Sequence, residues 1–382
     1  MSIKTKIINI DDKLRLSRTI EVSIGAKTIV TPKRVLAISK YKHYDESSLK
    51  NKDVKGFVEI YRRIDYKALH KIIGERIYES RFNYELSSLL KKAENDITIG
   101  FIEYDTGGRR PDKSEVEHLV HLFNNPLLDI LALPIMPKMP CDEYIRFLDE
   151  FIDIYQSISF RAILVPIIPH YASPDIIKLF EFYVKKDQIS KNFICVDFNG
   201  SNPISQYSFV SEVIRESQKF EKEYGAPCVR YGINVKYGKA TKKQDVVPAK
   251  DIMIFAMGFN LFGANHKVMP IIGDIGKYEL GTKAFNRNDY GYYSLEKARD
   301  FISENNEFEI KLSDIIKDAR LTKIFNAERH GLEALEISRA INENDLSKYI
   351  NSKRRIKENE KILKILSKVS KIASEGTLLK YF

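Results

Sequence analysis

The chain has 382 residues, 43% of them hydrophobic and 30% charged, so a substantial packed core is feasible and disorder is not expected. A net charge of +10 points to a polyanionic partner or a basic solvated surface, and three scattered cysteines exclude a disulfide framework. No apolar run approaches the ~18 residues a membrane-spanning helix needs, and the amino terminus does not read as a signal peptide, so no membrane partner and a cytoplasmic setting are expected.

In chain order, residues 5–31 read as a small β unit with a turn at Gly25. Eight strand candidates follow: Val35–Ser39, Gly56–Tyr61, Thr98–Asp105, Ile130–Met136, Ala162–Ile168, Phe193–Phe198, Arg230–Val235 and Ile252–Gly258. Most are separated by stretches of helical periodicity, namely 66–93, 114–123, 142–157, 174–184 and 207–224. Continuous apolar strands alternating with amphipathic helices imply an α/β fold with a parallel sheet, and eight of them imply a (β/α)8 TIM-type barrel. An open doubly wound sheet is the rival, but no G-x-G-x-x-G follows an early strand. Residues 312–341 and 344–372 read as long helices rich in Lys, Arg and Glu. The expected division is 1–310 for the barrel with its amino-terminal hairpin and 311–382 for a basic helical extension packed on it.

In such a barrel the carboxyl ends of the strands carry function. Here they bear Ser39-Lys40, Arg62-Arg63, Asp105, Lys138, His170, Asp197 with Asn199, Asn234 with Lys236, and the loop Asn260 to His266. Asp105 and Asp197 are the catalytic candidates, one as acid or base and the other as nucleophile or anchor. Asp105 alternatively caps the next helix or pairs with an arginine, and Asp197 alternatively orders its own loop. Gly107 and Gly108 allow close approach of a ligand to the backbone. Phe259, Asn260 and His266 suit stacking and edge recognition of a planar base. No H-x-x-x-H or paired-cysteine spacing supports a metal site, no P-loop is present, and no cofactor is expected.

Three stretches together resemble the tRNA-guanine transglycosylase superfamily. Ser17 to Pro32 is similar to the family's opening hairpin and Thr-Pro; Asp105-Thr-Gly-Gly108 is similar to its Asp-Ser-Gly-Gly motif; and Ala249 to Ala256 falls near its nucleophile. Residues 321–341 are similar in character to its final helices. The resemblance implies exchange of guanine or a 7-deazaguanine in tRNA, or alternatively in DNA, with Asp105 holding or protonating the base; with no aspartate at the family's nucleophile position, Asp197, or else Asp105, would have to take over as nucleophile. Gly107, Gly108, Asn199, Phe259, Asn260 and His266 would then line the base site, with Arg62, Arg63, Arg109 and Arg110 on phosphates. A homodimer or a heteromeric partner could complete such a site. Two departures stand out: Ile254 falls where the family has its nucleophilic aspartate, with Asp251 on the same run expected to point away, and the family's cysteine-histidine zinc site is missing. A catalytically silent nucleic-acid-binding paralogue, or an unrelated barrel enzyme for a small anionic metabolite, are the alternatives.

Overall fold

Alternation along the first strands gives one buried face, and that face builds the first sheet. The computed structural model describes residues 2–158, 161–238, 244–267, 282–302 and 307–378. Strands β1 (Ile3–Ile10), β2 (Arg18–Ile24) and β3 (Lys27–Val30) form an antiparallel sheet in that order, with Ile20, Val22 and Ile24 turned inward. Gly25 takes φ 59° in the β2–β3 turn, a conformation glycine adopts without a side-chain clash.

The parallel strands come next. They are β4 (Lys33–Arg34), β5 (Leu36–Ala37), β6 (Phe57–Asp65), β7 (Ile97–Asp105), β8 (Ile130–Ala132), β9 (Ile163–Val165), β10 (Ile167–Ile168), β11 (Phe193–Asp197) and β12 (Val229–Ile233). After β13 (Val246–Pro248), β14 (Leu261–Phe262) completes the set. One five-stranded sheet has the order β5-β6-β7-β8-β9 and the other β10-β11-β12-β14-β4, and every pairing in both is parallel. Only Val35 separates β4 from β5, and only Pro166, which has no N–H to donate, separates β9 from β10. Residues Ile97 to Tyr104 of β7 are buried on both faces, as expected of a parallel strand covered by helices.

The covering helices are α1 (Tyr66–Gly74), α2 (Arg76–Lys91), α3 (Lys113–Leu122), α4 (Cys141–Ser157), α5 (Ser173–Val184) and α6 (Tyr207–Tyr224). Asp65 caps α1 by accepting from Ala68 N at 2.8 Å, and Asp112 and Glu115 form a reciprocal capping box on α3. The periodic stretch 66–93 is thus two helices broken at Glu75, not one. Among the described residues β13, β15 (Lys283–Asn286) and β16 (Gly291–Ser294) form a further antiparallel sheet, which hydrophobic patterning did not reveal.

The expected eighth strand is corrected. Ile252–Met257 is a 3-10 helix, opened by Asp251, whose side chain accepts from Ile252 N, and closed by Gly258 at φ 89°. The paired strand is β14, so the residue just past the carboxyl end of this strand is Gly263, which offers no side chain, and not Ile254.

The carboxyl-terminal part contains α7 (Leu295–Phe301), α8 (Leu312–Lys317), α9 (Thr322–Asn342), α10 (Leu346–Ser352), α11 (Arg354–Lys357) and α12 (Glu360–Leu378). Each of the two long expected helices is therefore broken. One hydrophobic core runs from Ile3 through the sheets to Ile372. The first strands are tied to these last helices: Asn9 Nδ2 donates to the carbonyls of Ile341 (3.2 Å) and Asn342 (3.1 Å), Thr19 Oγ1 to Asn342 Oδ1 (3.0 Å), and Leu346 N to Asp11 Oδ2 (3.2 Å). No helix among the described residues is long and apolar enough to cross a membrane.

Candidate active site at the strand ends

Two glutamates inside apolar strands organise the polar cluster. Glu59 of β6 is fully buried; its carboxylate accepts from the Tyr231 hydroxyl on β12 and from Ala264 N (2.7 Å), and lies 3.0 Å from His266 Nε2. It therefore joins β6 to the two strands β12 and β14 of the other sheet. An ideal Cβ on Gly263 would stand 2.7 Å from Glu59 Oε2, so no larger residue fits at the end of β14 without displacing that carboxylate. Tyr61, two residues on and on the same face of β6, stacks on the His266 ring with centroids 4.4 Å apart and donates its hydroxyl to Glu103 of β7.

From Glu103 a chain of alternating charge runs in both directions. Arg63 Nε lies 3.4 Å from Glu103 and its Nη2 3.1 Å from Asp105. On the other side Lys267 Nζ lies 2.7 Å from Glu103 and 3.8 Å from Asp197. The two aspartates are thus the ends of the row Asp105–Arg63–Glu103–Lys267–Asp197.

Their environments differ. The Gly107 backbone N–H, 3.0 Å from Asp105 Oδ1, outweighs partial burial and, with the Arg63 hydrogen bond and charge, holds Asp105 below the usual carboxylate range. Its side chain is 23% exposed. Burial pushes Asp197 upward, against Lys267 and the hydrogen bonds from Asn234 Nδ2 and Asn199 N, both 2.8 Å from Oδ1. Glu59 shows the opposite balance to Asp197: burial raises it, but the charge and hydrogen bond of His266, the Arg34 charge and the Tyr231 hydroxyl leave it below the ordinary value.

Beside the Tyr61–His266 stack lies a recess of about 160 Å³ bordered by Ser39, Lys40, Tyr61, Arg62 and His266. That volume is comparable to cavities of ~150 Å³ that accept a single aromatic ring.

The expected site residues divide by position. Asp105, Asp197, Asn199, His266 and Arg63 come together in this cluster. Gly107 and Gly108 form the adjoining loop at φ 72° and 98°. Arg62 turns to the other face of β6, over the Phe82 ring and 3.6 Å from Glu85. Arg109 is engaged by Glu115 and Arg110 by Glu150, so these cations already have carboxylate partners. Phe259 and Asn260 do not line the cluster. They are buried at the amino end of β14, where Asn260 Oδ1 accepts from Arg230 N (3.1 Å) and Nδ2 donates to Arg18 O (3.4 Å). Their neighbourhood is a structural plug in which Arg18 and Arg230 share Glu221. Glu59, Tyr61, Glu103 and Lys267 were missed by the sequence reading, although a lone acid inside an apolar strand was a usable signal. Among the described residues no group of His, Cys, Asp and Glu is arranged to hold a metal ion.

No protein-family model matches the chain, and no curated protein matches it. Among solved structures, the crystal structure of an engineered protein matches at 10% identity, covering 76% of this chain and 70% of that one with a TM-score of 0.39. A likeness of that degree carries no argument about fold or function.

Proposed function

We propose that the two parallel sheets, continuous through Val35 and Pro166, close as one (β/α)8 barrel, and that the protein is a transglycosylase-like enzyme exchanging guanine or a 7-deazaguanine in tRNA, with DNA as the second polymer to test. The observation that carries the reading is the pair of aspartates in opposed environments, joined by Arg63, Glu103 and Lys267. Two carboxylates whose surroundings push their protonation apart are the usual arrangement for divided acid–base and nucleophilic roles.

Asp105, ionised and at the rim, accepts N–H groups from the edge of the base rather than protonating it. The recess beside Tyr61 and His266 takes the ring. Asp197 attacks the ribose C1′ as a carboxylate, forming a C–O bond as the C1′–N bond to the departing base breaks; the base leaves with the electron pair and takes a proton from solvent water, and the incoming base gives its ring N–H proton to solvent as it forms the new C1′–N bond and the C–O bond to Asp197 breaks. Asp197 reaches a sugar only if the Lys267 ammonium, 3.8 Å away, moves off it.

Two observations favour a second reading, a catalytically silent nucleic-acid-binding subunit: Asp197 is only 3% exposed, and the residue that follows β14 is Gly263 rather than an acid. A guanine-exchange assay on bulk tRNA, and separately on duplex DNA, distinguishes the two. Label incorporation with an adduct stable on a denaturing gel, lost in Asp197→Asn, supports the enzyme. Salt-sensitive binding without incorporation supports the silent subunit. No binding to either polymer refutes both.

A further inference from the structure

A second hollow lies apart from the aspartates. It has a volume of about 950 Å³ and opens between the carboxyl ends of β12 and β14, the sheet of β15 and β16, and helices α8 and α9. Neither Asp105 nor Asp197 borders it. Small-molecule sites commonly span ~300–1,000 Å³, so the size suits a ligand larger than a single ring.

The wall is built, not merely open. Tyr292 Oη lies 2.5 Å from Asp251 Oδ2 and 2.6 Å from His330 Nε2, a row of three buried side chains. Tyr237 stacks on Tyr292 with centroids 4.1 Å apart, giving an aromatic face. Arg34, 4% exposed, gives Nη2 to Glu46 at 3.0 and 3.2 Å, while its buried Nε has no hydrogen-bond partner among the described residues.

The charge is one-sided. The lining carries six cations against three carboxylates, and two of those carboxylates are occupied: Glu46 by Arg34 and Asp318 by Arg320. Lys283 Nζ rests on backbone carbonyls, those of Gln244 (2.6 Å) and Asp245 (3.5 Å). Lys317 and Lys323 form no ion pair among the described residues. A solvated basic rim accounts for those lysines alone, but not for an aromatic wall beside a buried guanidinium with a spare donor.

We propose that this cavity binds a nucleoside phosphate, with the phosphate at Lys317 and Lys323 and the base against Tyr237, which Tyr292 backs from behind. The same chemistry comes from a free mononucleotide or from the end of a nucleic-acid strand. The proposal does not rest on the exchange reaction.

Isothermal titration calorimetry on the full chain tests it, with GMP, UMP, guanosine and inorganic phosphate as probes. The expected result is saturable binding of GMP, one per chain, weakened about tenfold or more in the Lys317→Ala/Lys323→Ala double variant and in Tyr237→Ala, as ~1.4 kcal/mol per factor of ten allows for lost phosphate or stacking contacts. Guanosine and phosphate alone bind more weakly than GMP. A short single-stranded oligonucleotide that competes with GMP identifies the polymer as the source; one that does not identifies the free nucleotide. Absence of saturable binding by mononucleotides and oligonucleotide overturns the proposal, as does affinity unchanged in both variants. Loss of the cavity proposal with base exchange retained leaves the reading of the aspartates standing, so the two failures are separable.

Discussion

Removing the Glu59 carboxylate should be among the most damaging single changes in the chain. Glu59→Ala leaves the Tyr231 hydroxyl, Ala264 N and His266 Nε2 facing each other without their common acceptor. Each abandoned buried donor costs about 1–3 kcal/mol, so the loss is roughly 3–6 kcal/mol after partial relaxation. Against a typical total of ~5–15 kcal/mol, that approaches unfolding. Glu59→Gln keeps the length and one acceptor oxygen and should cost only about 1–2 kcal/mol. The sign of the pH dependence follows from a carboxyl held below its ordinary value of 4.5. Such a group contributes stability that is present above the unfolded-state pKa and is lost as pH falls through the folded-state pKa. Glu59→Gln should therefore lose less stability than the parent as pH drops below about 4.5. Urea unfolding followed by far-UV circular dichroism at neutral and acid pH measures all three quantities. An alanine variant within about 1 kcal/mol of the parent, or a glutamine variant as damaged as the alanine, refutes the reasoning.

Other changes are more local. Asp105→Asn should abolish label incorporation in the guanine-exchange assay while leaving nucleic-acid affinity nearly unchanged; retained turnover counts against its role in holding the base. Asp251, pushed by burial from 3.8 to about 6, should give the reverse pH behaviour to Glu59. Its contribution is fully present below the unfolded-state pKa and is lost as pH rises through about 6, so Asp251→Asn should gain up to about 3 kcal/mol at pH 7.5 and nothing near pH 4, read as the melting-temperature difference between variant and parent. Gly100→Ala should cost about 1–3 kcal/mol, because the added Cβ would lie 2.7 Å from the Phe123 ring; an unchanged melting temperature shows that the ring can give way.

Much of the parallel framework was legible because its strands are apolar runs separated by periodic helices. Phe193–Asp197 and Val229–Ile233 sit within a residue or two of where hydrophobicity alone put them. The failure at 252–258 has a definite cause. Ile-Met-Ile-Phe-Ala-Met is apolar at every position, and such a run has no period to separate a strand from a buried helical turn. The true strand, Leu261–Phe262, is too short to announce itself. The site was half-legible for a related reason. Looking only at the carboxyl ends of strands finds Asp105 and Asp197, the last residues of β7 and β11. It passes over Glu59 and Glu103, which lie inside the strands, because β6 and β7 each extend over nine residues and bury their acids in the interior. Phe259 and Asn260 looked like base-binding residues by type, but belong to the opposite end of β14. Which end of a strand a residue occupies depends on strand boundaries, the least secure part of any sequence reading.

The hydrogen bonds between the first strands and the last long helices also bear on how the molecule is made. Asn9 waits for a partner 333 residues downstream. At ~5–20 residues per second of synthesis, that is roughly 20–70 s on the ribosome. Through that interval β1, the edge of its sheet, keeps Ile8 and Ile10 on an uncovered strand, with Lys4 and Lys6 as its charged guards against pairing with another nascent chain. Emergence of α9 and α10, rather than of the sheets, is then the event that fastens the first strands, and afterwards β1 and these helices hold each other against fraying.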